Sequence, residues 1–252
     1  MSGNAESAPF VDLVGDAMER LVYAIPVIAA VAPRPLVLVG GLAVICRLGH
    51  PYRSTGDIDT VDRRRDEELS ALELLRASGA DESGTTGALV QTSSGPVQVD
   101  ILDITDVALD NLPDEPNDRL YYLAHNWATA TATPMILRTS GSSPVTVRVA
   151  QPGPLIAMKL HSLMNRLASK EASDLLDIVR LTLDPVTGVV ARQQLSAASP
   201  QLRADALLHV RLSFVTNAAR SLSRIRTISE GKSATRDEID LVAELLTESL
   251  SP

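Results

Sequence analysis

Asp57 and Asp59 stand two apart in the alternating run Asp57-Ile58-Asp59-Thr60-Val61-Asp62, which reads as a strand. Residues i and i+2 of a strand share a face, so the two carboxylates stand side by side while Ile58 points to the core. Adjacent carboxylates repel, and burying them is costly unless a cation is present. Mg²⁺ (or Mn²⁺) removes that cost, taking one or two carboxylates together with waters and substrate phosphates. The plain alternative is a strand end with two solvated aspartates. A third acid changes the weighing. In Val97-Gln98-Val99-Asp100-Ile101-Leu102-Asp103, Val97, Val99 and Ile101 share one face, and Gln98, Asp100 and Leu102 share the other. If this strand pairs with the first, three carboxylates converge. That arrangement suits two-metal chemistry, with one ion clamping a triphosphate and the other activating an attacking hydroxyl. Asp100 is then the candidate base or metal bridge.

Other residues fit the same chemistry. Gly40-Gly41 follows an apolar run and opens a helix, so the backbone can approach a ligand and present N–H donors to phosphate. Between that turn and Asp57 lies Arg53-Ser54-Thr55. Ser54 and Thr55 can donate to a phosphate, and Arg53 can neutralise one or pin the loop to a nearby acid. Lys159 is set among Leu155, Ile156, Met158 and Leu160; a lysine on so apolar a helix either snorkels to the surface or meets an anion. Asp174 and Asp177, three apart, share a helix face, and Lys170 lies one turn before Asp174, the spacing of a simple helix ion pair. His125 and His161 are weaker candidates, since a lone histidine is more often structural.

The elements that must position these residues fall into two textures. Phe10 to Val31 has helical spacing and stops before Pro33 and Pro35. Leu36 to Val39 reads as a buried strand, Leu42 to Leu48 as a short helix, and Glu67 to Ser78 as an amphipathic helix ended by Gly79. Ala88–Thr92 and Val97–Ile104 flank Ser93-Ser94-Gly95-Pro96 as a hairpin, and residues 105–122 read as helix and loop. Ala130–Arg138 and Val145–Ala150 form a second hairpin. After Pro152 the pattern is helical: Leu155–Leu167, Glu171–Leu183, Arg203–Ile228 and Thr235–Leu250, the last with a capping box at Thr235 to Glu238. The expected fold is α+β, with a small mixed sheet and its helices over 1–151 and a helical part over 152–252, divided near Gln151-Pro152-Gly153-Pro154.

Bulk properties narrow the classes. The chain has 252 residues, 45% of them apolar, which suffices for real cores. No apolar run reaches the length of a membrane span, and Met1 to Pro9 lacks the pattern of a signal peptide. Cys46 is the single cysteine, so no internal disulfide forms and a reducing cytoplasm is the simplest compartment. The net charge of −8 divides into −11 over residues 1–124 and +3 over 125–252. Arg203, Arg211, Arg220, Arg224, Arg226, Lys232 and Arg236 make residues 203–236 the first candidate for nucleic-acid contact, or else a solvated helix face.

The strand, Gly-Gly turn and helix, followed by Asp-x-Asp and a lone Asp on a later strand, resemble the DNA polymerase beta-like nucleotidyltransferase superfamily. Within it, Gly40-Gly41-Leu42-Ala43 and Arg53-x-Thr55-x-Asp57-Ile58-Asp59 look most like the AbiEii / MenT toxins of type IV toxin–antitoxin systems. The resemblance spans roughly residues 36–180. It pairs Lys159 with the family's helix lysine and Asp174, rather than Asp177, with its later aspartate; where that family often has Lys-Asp, this chain has Ser173-Asp174. It implies catalytic roles for Asp57, Asp59, Asp100, Lys159 and Asp174, metal held by the first three, and triphosphate contacts from Gly40, Gly41, Arg53, Ser54, Thr55 and Lys159. It further implies transfer of a nucleotidyl group to the 3′ end of tRNA, and a cognate antitoxin as partner. A small-molecule acceptor such as an aminoglycoside, a protein hydroxyl, and a non-catalytic binding module are the competing expectations.

Overall fold

The computed structural model describes residues 8–164 and 168–251. The end of the expected helix 155–167 and most of the polar N-terminus, residues 165–167 and 1–7, lie outside the described residues. The protein is mixed α/β, with helices gathered in its C-terminal half. Its elements, in order, are β1 (Phe10–Asp12), α1 (Asp16–Val31), β2 (Val37–Val39), α2 (Gly40–Leu48), β3 (Asp57–Arg64), α3 (Ala71–Ala77), β4 (Asp81–Ser83), β5 (Gly87–Thr92) and β6 (Gly95–Thr105). Then come α4 (Asp106–Asp110), α5 (Pro116–Thr131), β7 (Thr133–Arg138), β8 (Val145–Val149), α6 (Pro152–Ser162), α7 (Ala168–Leu183), α8 (Thr187–Ser196) and α9 (Pro200–Val210). A π-helical turn (Arg211–Thr216), α10 (Ala218–Ile225), a 3₁₀ turn (Ser229–Gly231) and α11 (Arg236–Leu250) complete the chain. No helix among the described residues is long and apolar enough to cross a membrane.

The chain divides into two compact units. The first comprises residues up to Asp62, Leu69–Leu102 and Ala132–Val149. The second comprises Arg63–Glu68, Asp103–Thr131 and the chain from Ala150 onward, so neither unit is continuous in sequence.

The first unit is built on the sheet, whose strand order is β1-β7-β8-β2-β3-β6-β5-β4. β2 runs antiparallel to β3 and parallel to β8, and β1 runs parallel to β7. The short run Val37–Val39 is buried on both faces, as its unbroken apolar sequence requires of a central strand. α1 turns Met18, Leu21, Val22, Ile25 and Ile28 inward and packs on β5, β8 and α3. α2 is apolar apart from Arg47 and is buried from Gly41 to Cys46. Burial pushes the Cys46 thiol up to about 12, which leaves it inert as a nucleophile.

Local chemistry explains where the elements depart from their expected bounds. Phe10–Asp12 is a strand and not the start of α1, because β7 offers it a partner; Arg138 pairs with Asp12 at 2.7 Å and stacks 3.5 Å from the Phe10 ring centre. α3 begins at Ala71, later than Glu67, because Ser70 and Glu73 form its capping box and Glu68 is held back by the Arg65 backbone and guanidinium. The hairpin of β5 and β6 turns on Ser93-Ser94 alone, since Thr92 pairs with Gly95 and Gln91 with Pro96. α5 continues through Thr131, where Thr129 and Thr131 hydroxyls return to carbonyls of the preceding turn, so β7 starts only at Thr133.

In the second unit, α6 lies at the centre, packed by α5, α7, α8 and α9, and is buried from Pro152 to Leu160. Arg203–Ile228 is not one helix: the π-helical turn and Asn217 interrupt it, and the Ser221 hydroxyl donates to the Ser213 carbonyl that the wider turn frees. Arg119 on α5 grips the buried Asp205 of α9 with two hydrogen bonds of 2.8 Å.

One acid of the Asp57–Asp62 run is structural. Asp62 is buried, takes two bonds from Arg34 at 2.8 and 2.9 Å, and accepts the Ala71 N–H at 2.8 Å, tying β3 to the start of α3. Asp62→Ala is expected to lower stability by about 2–3 kcal/mol, because it strands a half-buried guanidinium and a helix N–H. Urea denaturation of the purified variant measures it.

Candidate functional site

The first unit brings the three sequence-predicted carboxylates together. Asp57 and Asp59 point from the same face of β3, and Asp100 comes from β6, the next strand in the sheet. One carboxylate oxygen of each lies within 4.8 Å of the others, and all three side chains are half-buried. Neutral donors steady two of them. The Thr55 hydroxyl, buried in the loop before β3, donates to Asp57 Oδ1 at 2.8 Å. The Gln98 amide donates to Asp100 Oδ1 at 2.9 Å.

The Gly-Gly turn lies beside this cluster. β2 pairs Val39 with Asp59, so the chain leaves β2 and enters α2 next to that carboxylate. Gly40 has φ +63°, and a Cβ there would stand 1.8 Å from Asp59 Oδ2. Only glycine satisfies both the left-handed backbone and the close approach. At Gly41 a Cβ would come within 2.7 Å of Arg53 Nη2 and 3.0 Å of Thr55 Oγ1, so the 53–55 loop packs on the same turn. Arg53 is also tied to its own loop: Nη1 donates to the Ser54 carbonyl at 3.1 Å and Nε to the Tyr52 hydroxyl at 3.4 Å. The Ser54 side chain is exposed. The expected phosphate-binding residues Gly40, Gly41, Arg53 and Thr55 are thus gathered around the carboxylates, with the first N–H groups of α2.

Lys159 and Asp174 belong to the second unit and meet one another there. The Lys159 ammonium does not snorkel: it is buried, bonded to Asp174 and 2.9 Å from Asp177 Oδ2, and both aspartates are buried. Ser162, one turn after Lys159, donates to the other Asp174 oxygen at 2.8 Å. Its helical spacing from Lys159 is the one sequence signal that points to it. Lys170 is exposed.

His125 and His161 flank Tyr121, with ring centres 4.2 and 5.2 Å from it. The Tyr121 carbonyl can only accept, so His125 Nδ1 carries the proton of their 2.6 Å bond. Burial lowers the His125 pKa from 6.5 to about 4.

Most of the basic residues in 203–236 are engaged within the unit. Arg220 and Arg224 pair with the buried Glu171 at 2.8 and 3.4 Å, Arg226 donates twice to the Ala234 carbonyl, and Arg236 pairs with Asp240 at 2.9 Å. Arg203 donates to the Ser251 carbonyl at 3.1 Å. Arg211 and Lys232 are exposed.

No family model, no curated protein and no solved structure matches this chain, so the carboxylates, the glycine turn and their geometry stand as the ground for a functional reading.

Gly40→Ala should cost about 1–2 kcal/mol in backbone strain alone and displace the Asp59 carboxylate, so thermal melting should report a loss. For His125, the folded pKa of about 4 lies below the unfolded value of 6.5, so the unfolded chain binds the extra proton between those limits. The neutral, buried ring therefore favours folding fully above about pH 6.5, and this contribution fades as pH falls towards 4. His125→Asn keeps a donor for Tyr121 and removes the titration. Its stability should fall by about 2–3 kcal/mol less than the wild type's between pH 7 and pH 4, measured by denaturation at each pH.

Proposed function

We propose that this chain is a metal-dependent nucleotidyltransferase that moves a nucleoside monophosphate from a nucleoside triphosphate to an acceptor hydroxyl. The observation that carries this reading is the meeting of Asp57, Asp59 and Asp100 within 4.8 Å beside the Gly40-Gly41 entrance to α2. The donor set fits the group it calls for. Three hard carboxylates suit Mg²⁺ or Mn²⁺ rather than a soft metal. A bound divalent ion would offset the carboxylate repulsion and polarise the phosphate under attack.

The chain's own residues would do the rest. Asp57 and Asp59 hold charge on the rigid strand β3. The first N–H groups of α2, with Thr55 and Arg53 beside them, face the phosphates. Asp100 takes the proton of the acceptor hydroxyl as its oxygen bonds to the α-phosphorus. The bond from that phosphorus to the bridging oxygen of the β-phosphate breaks, and pyrophosphate leaves. Lys159 and Asp174 enter this proposal through the family resemblance, as does the triphosphate contact it assigns to Lys159.

The same resemblance suggests the tRNA 3′ end as acceptor, a growth-arresting toxin as the role, an antitoxin as partner and the cytoplasm as location. The exposed Arg211 and Lys232 are compatible with RNA. A second reading keeps the chemistry and changes the acceptor: the −11 charge of residues 1–124 favours a cationic small molecule of the aminoglycoside kind.

Incubation with each labelled triphosphate and Mg²⁺, with total tRNA in one arm and aminoglycosides in the other, separates the acceptors by the mass of the adduct. Asp57→Asn and Asp59→Asn should each reduce adduct formation by at least about a hundredfold without loss of melting temperature. Adducts made equally well by both variants would sink the catalytic proposal; absence of any adduct with wild-type protein would leave a binding module.

A further inference from the structure

Asp100 is held by a side-chain relay that the chemistry above does not draw on. Ser83 on β4 donates its hydroxyl to Gln98 Oε1, and Gln98 Nε2 donates to Asp100 Oδ1 at 2.9 Å. Gln98 and Asp100 are neighbours on one face of β6, two residues apart. The direction of the relay is set by charge. A flipped amide would turn its oxygen towards the Asp100 carboxylate, which repels it, while the Ser83 hydroxyl can donate or accept with equal ease. Asp100 thus orients the amide, and Ser83 completes it.

The space for this relay is built into the sheet. Gly87 on β5 is the register partner of Asp100. A Cβ at Gly87 would lie 2.2 Å from the Ser83 carbonyl oxygen, 2.3 Å from Gln98 Nε2 and 2.7 Å from Asp100 Oδ1. Three members of the arrangement therefore converge on one position that admits no side chain. Three successive strands, β4, β5 and β6, contribute a residue each or more, and the antiparallel register fixes their spacing.

We propose that Gln98 is a positioning residue for the metal site, with Ser83 as its anchor: the pair fixes the rotamer of Asp100 so that its carboxylate meets those of Asp57 and Asp59 before any ion arrives. This rests on the metal reading above. An unanchored Asp100 would rotate away from its two like-charged neighbours, and ion binding would have to recover that rotation. The amide supplies the opposing hold without adding a cation that would compete with the ion. Outer partners of metal ligands act in this way generally.

The test is Mn²⁺ titration of the full-length protein by calorimetry, with the bound-ion electron paramagnetic resonance spectrum as the second readout. Gln98→Met keeps the length of the side chain and removes the donor; it should weaken Mn²⁺ binding by about tenfold and broaden the spectrum, as loss of an outer-shell partner does. Ser83→Ala should weaken it by a smaller factor, about threefold, and Ser83→Thr, which keeps the hydroxyl, should restore wild-type affinity. Melting curves of all three variants separate this from unfolding, and Ser83→Ala serves where Gln98→Met fails to fold. Unchanged affinity and spectrum in Gln98→Met and Ser83→Ala, with Asp59→Asn still abolishing binding, would overturn the positioning role and leave the metal site standing. No Mn²⁺ binding by the wild-type protein would overturn the metal reading itself, and the role of Gln98 with it.

Discussion

Three carboxylates with oxygens inside 4.8 Å impose the constraint that organises the first unit. At an effective dielectric of about 20, each pair of charges at that separation repels by roughly 3 kcal/mol. A flexible loop would relieve this by swinging the groups apart. Here the backbone denies that escape: two of the acids alternate on β3, the third stands on β6, and both strands are interior to the sheet. Side-chain rotation is restrained as well, by the Thr55 hydroxyl at Asp57 and by the Gln98 amide at Asp100. The α2 N-terminus adds partial positive charge next to Asp59, at a turn that only Gly40 can make. The result is a set of three like charges whose positions are set by strand register and by hydrogen bonds from Thr55 and Gln98.

The second unit solves the opposite problem. A buried ammonium, that of Lys159, is surrounded by Asp174 and Asp177, and Ser162 fills a remaining acceptor position. Such a cluster gains little over well-packed apolar groups, yet breaking it leaves a buried charge uncompensated. It therefore fixes how α6 and α7 pack on one another. Arg119 with Asp205, and Glu171 with Arg220 and Arg224, repeat the pattern at other helix pairs of this unit. Charges that look available in the linear chain are, in this unit, the ties between helices. Arg211 and Lys232 are left exposed on the segment where the sequence concentrates basic residues.

The faces taken by Asp57, Asp59 and Asp100 are legible in the linear chain, because strand alternation assigns them from sequence alone: Ile58 and Val99 have to point inward, and the acids have to point away from them. The α+β class and most helix and strand positions follow from the same periodicities. The capping box at Thr235 and Glu238 is equally readable, since its partners are three residues apart. Asp62 is not. It shares a run with Asp57 and Asp59, but its role comes from Arg34, which lies 28 residues earlier, and from the start of α3. Phe10–Asp12 reads as helix because its apolar spacing continues into α1; the edge of β7, over a hundred residues away, makes it a strand.

Local patterns in the chain determined which residues could carry chemistry and which face each would take. Periodicity and capping act over a few residues, so they are written in the linear order. Tertiary structure alone decided which of these residues meet. It placed β3 beside β6, seated Asp59 against Gly40, linked Ser83 through Gln98 to Asp100, and enclosed Lys159 between Asp174 and Asp177. The physical reason is range. Strand register and the burial of charged side chains depend on partners that are distant in sequence, and no local preference encodes which distant partner will win.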